Sequence, residues 1–285
     1  MAKNTKKTIL VTGATGKQGG AVLRHLREKG FTVRALTRDP ASEKARSLVG
    51  HGTEVVRGDL NDPGSLTRAL DGVDGVYCVQ PASKDEVQQG NGLIDAIKRT
   101  RVSHVVYSSV AGAERKSGIP FFETKYQIEE HLRGTGLHNT ILRPAFFMEN
   151  WLAMRDGIEN GVLSLPLKPE TRLQLIAVDD IGGFAALAFE KPKHWDGRAV
   201  ELAGDELSMT ELAQAFTRMS GREVRYEPAP WDEFEKQAGP ELTMMYRWLE
   251  DNALQADTSA LRQEYSNLTS FDRWLNSSWS KYATA

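Results

Sequence analysis

Two hydrophobic rhythms alternate along the first half of the chain. Short apolar runs that read as strands, the first of them buried, stand at 8–12, 32–36, 54–56, 75–79, 104–108 and 140–142. Between them lie stretches whose apolar residues recur at helical spacing: 18–29, with Val22, Leu23 and Leu26 on one face, then 63–70, 86–99 and 121–132. Gly30 stops the first of these, Asp62 caps the second with Pro63 at its first position, and Gly134 follows the last. Alternation of this kind predicts a doubly wound α/β fold, a mostly parallel sheet with helices on both faces.

After Pro144 the rhythm breaks, and Arg143-Pro144 is expected to end the sixth strand. Leu173–Ile176 and Arg198–Leu202 read as strands that rejoin the sheet. Asp179 or Asp180 reads as the cap of a helix through Phe189, and Ser208-Met209-Thr210-Glu211 as a capping box opening a helix to Met219. From Trp231 onward the pattern is mainly helical, and all six tryptophans lie at 151 or beyond. The expected division is a sheet domain over residues 1–150, joined by strands from about 171–203, and a smaller, mainly helical lobe over 151–285 packed on it.

Composition narrows the function classes. The 285 residues carry 36 Lys and Arg against 38 Asp and Glu, a net charge of -2, so nothing electrostatic points to nucleic acid or a membrane surface. The single cysteine, Cys78, excludes an internal disulfide and suggests a reducing compartment; set in an apolar run, it reads as an inert buried thiol. The opening MAKNTKK is basic but leads straight into a strand, without the apolar stretch of a secretory leader, and no run approaches the roughly 20 apolar residues of a membrane span. A cytoplasmic location is expected. The six histidines show no metal-binding spacing, so no metal site is expected.

Gly13-Ala14-Thr15-Gly16-Lys17-Gln18-Gly19 lies between the first strand and the first helix. In that context Gly13 lets the chain turn off the strand, Gly16 lets a diphosphate approach the main chain, and Gly19 lets the helix lie close to the sheet. The helix N-terminus then offers free N–H groups and a positive dipole end. The competing reading is a strand-to-helix turn kept for packing alone. The favoured one is a Rossmann-type dinucleotide site.

The end of the second strand discriminates between the two nicotinamide dinucleotides, since an acidic residue there suits a ribose 2′-hydroxyl and a basic one a 2′-phosphate. The sequence reads Leu36-Thr37-Arg38-Asp39-Pro40, in which Thr37 can donate a hydroxyl and Arg38 a planar fork, with Lys17 as a second charge. Asp39, set before Pro40, suits a turn. NADP(H) is therefore favoured over NAD(H); the alternative for Arg38 is a solvated surface charge. Asp59 is a candidate for the adenine amino group, with Leu60 packing beside the ring, and its alternative is a loop cap.

Taken together, TGATGKQGGAV, RALTRDP, GDLND and ILRPAFFMENW resemble the NmrA-like branch of the atypical short-chain dehydrogenase/reductases over roughly residues 8–190. The resemblance implies a Rossmann domain that prefers NADP(H), with a small C-terminal lobe over the nicotinamide. Thr12, Gly13, Thr15, Gly16, Lys17, Gln18 and Gly19 would hold the pyrophosphate, and Thr37 with Arg38 the 2′-phosphate. Gln80 and Pro81 would lie beside the ribose, and Pro144, Phe146 and Phe147 would line the nicotinamide. Some members resemble NADP(H) sensors that bind a regulatory protein; others reduce quinones, dyes or phenolic compounds.

The wider superfamily places a tyrosine four residues before a lysine, so that both share one helix face and the lysine charge eases proton transfer from the phenol. Here the lysine is Lys125 and the earlier position is Phe121. Tyr126 is turned about 100° away around the helix. Lys125 is thus expected to orient the nicotinamide ribose, the alternative being an exposed helix lysine; neither Ser108 nor Ser109 is assigned a catalytic role. A quinone or other conjugated acceptor can take hydride from the cofactor and then a proton from water, needing no tyrosine. Phe121, Phe122, Phe146, Phe147 and Trp151 could pack such a flat substrate, or be ordinary core. The leading expectation is an NADPH-dependent reductase, monomeric or homodimeric; the alternative is a catalytically silent NADP(H) sensor.

Overall fold

The computed structural model describes residues 6–50 and 52–279. The opening Met1–Thr5, part of the stretch read above for a leader, and residues 280–285 of the tail expected to be helical lie outside the described residues.

The first-half elements are β1 (Thr8–Val11), α1 (Lys17–Glu28), β2 (Thr32–Thr37), α2 (Glu43–Arg46), β3 (Thr53–Arg57), α3 (Pro63–Ala69), β4 (Gly75–Cys78), α4 (Glu86–Lys98), β5 (His104–Ser108), α5 (Pro120–Gly134) and β6 (Asn139–Pro144). Later come β7 (Phe146–Phe147), a 3₁₀ stretch Met148–Met154, α6 (Arg155–Glu159), β8 (Val162–Leu163), β9 (Arg172–Ile176), α7 (Val178–Glu190), α8 (Pro192–Trp195) and β10 (Ala199–Leu202). The remainder is β11 (Asp205–Ser208), α9 (Met209–Ser220), β12 (Arg225–Tyr226), α10 (Trp231–Ala238), α11 (Pro240–Asp251), α12 (Thr258–Glu264) and α13 (Phe271–Trp274).

Seven strands form one sheet in the order β10-β6-β5-β4-β1-β2-β3. The pairs from β3 to β6 are parallel. Along β6 and β10 the bonds Gly197 N–H to Asn139, Ile141 N–H to Arg198 and Ala145 N–H to Leu202 advance together, as parallel strands require. Strand order reverses at β1, so the crevice at the carboxyl ends of β1 and β4 is the topological switch point, where open α/β sheets bind ligands. One face of the sheet is filled by Leu66, Leu93, Ile94, Ile128 and Leu132 from α3, α4 and α5, packed with Leu10, Val76 and Val105. On the other face Gly182 of α7 meets the backbone at Ala21 of α1, and Phe189 lies against Gly75 beside Ile9.

The chain divides into two compact units. The first comprises residues 1–114, 121–143 and 181–200, and the second residues 115–120, 144–180 and 201–285. The boundary read at residue 150 thus falls inside the second unit, and 181–200 returns to the first, because β10 supplies the edge of the large sheet beyond β6. Of the two later strands expected to rejoin that sheet, only β10 does. β9 instead pairs antiparallel with β11 and parallel with β7 in a separate three-stranded sheet. The second unit's core gathers Trp151, Phe216, Phe271, Trp274 and Trp279, with Phe216 meeting three of these rings edge-on or tilted at 5.0–6.3 Å. Two local expectations change. β6 runs through Pro144, whose missing N–H costs nothing because Ala145 takes up the next bond to Leu202. Asp179 and Asp180 lie inside the first turn of α7, which begins at Val178, and the Asp180 carboxylate accepts from the N–H and hydroxyl of Thr269. The Ser208–Glu211 capping box forms as expected.

At the opposite end of the sheet from the glycine turn, His104 is buried, and burial pushes its imidazole down to about 4, against the opposing pull of Asp196. Thr140 gives its proton to the Trp195 carbonyl at 2.8 Å, so the His104 contact to the Thr140 hydroxyl, also 2.8 Å, must be an Nε2–H donation from a neutral ring. The folded state therefore resists a proton that the unfolded chain takes near pH 6.5, and this stabilisation is complete above pH 6.5 and lost as pH falls toward 4. Urea unfolding at pH 7.5 and 4.5 should show a loss of roughly 2 kcal/mol from this residue, absent in a His104→Gln variant. Equal pH dependence in both proteins would remove His104 as the cause.

Candidate nucleotide-binding site

The switch-point crevice is framed by Thr12, whose hydroxyl accepts from Val79 N–H and donates to Val79 C=O, both at 2.8 Å, tying the ends of β1 and β4. This buried side chain is committed to the frame. Gly13 then turns at φ +60°, a region closed to most side chains, and its carbonyl accepts from Gly16 N–H at 2.8 Å. A Cβ at Gly16 would lie 3.2 Å from that carbonyl, and one at Gly19 would overlap it and reach within 2.8 Å of Ala14 N. The turn is thus as tight as its glycines permit. Gly13, Thr15, Gly16 and Lys17 are exposed, and α1 starts at Gly16 with no side-chain cap and no acidic residue in its first turn. Its leading N–H groups remain open to an anion.

Gln18 turns its side chain inward. Its Oε1 accepts from the Ser108 hydroxyl at 2.7 Å and from Tyr77 OH at 3.2 Å, so its carbonyl end is spent bracing β4 and β5. Nothing in the motif's spacing signals this inward turn.

At the end of β2, Thr37 is half-buried and Arg38 is exposed with no ion pair among the described residues. The Asp39 carboxylate accepts from Ala41 N–H at 2.9 Å, the turn role expected of it. Sequence reading missed Arg57: the β2–β3 register sets it opposite Thr37, exposed and without an ion pair among the described residues. The available signal was the basic residue before Gly58-Asp59. The half-buried Asp59 spends one carboxylate oxygen on Asn61 N–H at 2.9 Å, the loop-capping alternative, and Leu60 packs on the core beneath.

A second group of polar side chains lies beyond the end of β4. Gln80 is buried; its Nε2 contacts the Cys78 sulfur at 2.9 Å while its Oε1 has no partner. Burial pushes the Cys78 thiol up to about 12, the Gln80 contact and the nearby Lys125 charge only partly opposing it, so this cysteine is inert. Pro81 is exposed. Lys125 is not a free surface lysine: its ammonium meets buried Glu86 at 2.5 Å and stands 6.0 Å from the centre of the Tyr107 ring. The hydroxyls of Tyr107 and Ser109 are buried without partners. Phe121, one turn before Lys125, lies edge-on to Phe122 at 5.1 Å. In the second unit Pro144 is buried, and Phe147 and Phe146 are half-buried, Phe146 packing against Trp151 at 5.2 Å and Tyr246 at 6.4 Å. Among the described residues there is no cluster that could hold a metal ion and no helix long and apolar enough to cross a membrane.

A tight glycine cradle at the switch point, an uncapped helix above it and basic residues without ion pairs among the described residues at the ends of β2 and β3 fit a nicotinamide dinucleotide. The family model of the NmrA-like family matches residues 5–275, and the chain belongs to that family. Among its relatives, the NAD(P)H azoreductase of Xenophilus azovorans is 37% identical over 220 residues, 76% of each chain. The NADPH-dependent quinone oxidoreductase of Escherichia coli, solved with NADPH, is 26% identical with a TM-score of 0.82, covering 94% of this chain and 98% of its own. The negative transcriptional regulator NmrA, solved with NAD, has a TM-score of 0.82 at 22% identity over 98% of this chain and 97% of its own, a likeness of fold alone.

Proposed function

We propose that this protein is an NADPH-dependent reductase that delivers hydride to a flat conjugated acceptor such as a quinone or an azo dye. The observation that carries the reading is the pairing of an intact cradle with Phe121 at the position from which a tyrosine would donate a proton. Bound NADPH supplies the hydride, and an acceptor whose reduced form takes its proton from water needs no acid from the protein. The chain's task is then binding and orientation. The backbone from Gly13 to Gly19 cradles the diphosphate, Thr37, Arg38 and Lys17 meet the 2′-phosphate with Arg57 beside them, and Gln80 and Lys125 address the nicotinamide ribose. Asp59 and Leu60 at the adenine, and Pro144, Phe146 and Phe147 at the nicotinamide, complete the assignment. The azo and quinone reductases among the relatives support this class of acceptor.

Purified protein with NADPH and a panel of quinones, azo dyes and enones, followed by the absorbance of reduced cofactor, should show turnover on at least one acceptor class. Tight NADPH binding with no turnover across the panel would move the assignment to a redox-sensing regulator. Within the same experiment Arg38→Ala should weaken NADPH roughly tenfold or more, the worth of a charge-assisted bond, and NADH little. Equal losses for both would defeat the 2′-phosphate assignment.

A further inference from the structure

We propose that Glu86 is a positioning residue of this site, holding the Lys125 ammonium in place for the ribose hydroxyls of the nicotinamide half of the cofactor. The inference rests on the cofactor reading given above. Glu86 stands in the first turn of α4 with 2% of its surface exposed, and a carboxylate so placed needs a compensating charge. It has three. The α4 N-terminus favours it, the Thr124 hydroxyl donates to Oε2 at 2.9 Å, and Lys125 sits 2.5 Å from Oε1. Thr124 and Lys125 are neighbours on α5, so one carboxylate grips that helix at two adjacent positions. Gly90, one turn further along α4, is what brings the helices close enough: a Cβ there would come within 2.7 Å of Ile128.

At 2.5 Å from Glu86 Oε1, the Lys125 ammonium commits one of its three N–H groups to that carboxylate. Lys125 also donates no hydrogen bond to any other described residue. The ammonium is therefore held by Glu86 while its other two N–H groups stay available to a ligand. Gln80 points the same way: its Nε2 contacts the Cys78 sulfur, on which the Lys125 charge acts, while its buried Oε1 has no partner among the described residues. A lysine without its carboxylate would have four rotatable bonds and no fixed direction.

The test uses the full chain with Glu86→Gln, which keeps shape and an acceptor oxygen but removes the charge. Equilibrium titrations with NADPH and with adenosine 2′,5′-bisphosphate, which lacks the nicotinamide ribose, separate the two halves of the site. Glu86→Gln should weaken NADPH roughly tenfold or lower kcat by a similar factor, and leave the bisphosphate within about twofold. In a Lys125→Met background the Glu86→Gln change should add nothing. Unchanged NADPH affinity and kcat, equal loss of both ligands, or a full extra loss without Lys125 would each overturn the assignment. Failure of the wild-type chain to bind either ligand would instead strike down the cofactor reading beneath it.

Discussion

Gly19→Ala should abolish the effect of NADPH on this protein. The added methyl would overlap the Gly13 carbonyl and crowd Ala14 N, both backbone atoms of the cradle itself, so no side chain can give way. Either α1 is displaced from β1 or the turn opens. The first costs stability by about 1–3 kcal/mol, in the range of other overpacked sites, and the second moves the N–H groups off the diphosphate. Thermal unfolding with and without saturating NADPH reads both at once. The wild type should gain several degrees from the nucleotide, and the variant should unfold earlier and gain none. A variant that keeps its NADPH affinity would show that the diphosphate lies elsewhere.

A second large effect is expected one helical turn beyond Lys125 on α5. Glu129 is fully buried on α5 and binds Arg143 of β6 through two parallel hydrogen bonds, at 3.0 and 2.7 Å, while Arg133 reaches it at 2.9 Å. Arg143, itself buried, also meets Glu114 at 2.7 Å. Glu129→Ala removes the carboxylate that two guanidinium groups share and takes from buried Arg143 the partner of its two parallel hydrogen bonds. Loss of one partner from a buried pair costs about 3–5 kcal/mol, much of it for the charge left behind. Urea unfolding should show that loss, and the double change Glu129→Met with Arg143→Met should recover most of it. A single-variant loss under about 1 kcal/mol would mean that water reaches the pair.

The large sheet was legible because its central strands β4, β5 and β6 are buried on both faces and the others still show short apolar runs, and because glycine, proline and Asp62 punctuate the helices between them. The glycine turn was legible because its constraint is local: three small residues between one strand and one helix. What escaped notice depends on pairing across the chain. Phe146–Phe147, Val162–Leu163 and Arg225–Tyr226 are strands of two residues, too short to show any period. Arg172–Ile176 looks like a strand and is one, but the pattern along it does not say which sheet receives it. Glu86 went unnoticed since an acid in the first turn of a helix is an ordinary dipole complement, and only the approach of α5 turns it into the partner of Lys125. Asp180 had the same ambiguity and resolved the other way, toward Thr269.

The interleaving of the two units carries a consequence for how such proteins diversify. The chain passes from one unit to the other at 114/115, 120/121, 143/144, 180/181 and 200/201. Recombination between genes exchanges contiguous blocks, and no contiguous block here corresponds to either unit. A descendant with a new acceptor preference is therefore reached more readily by point changes within an inherited frame than by grafting one unit from a cousin.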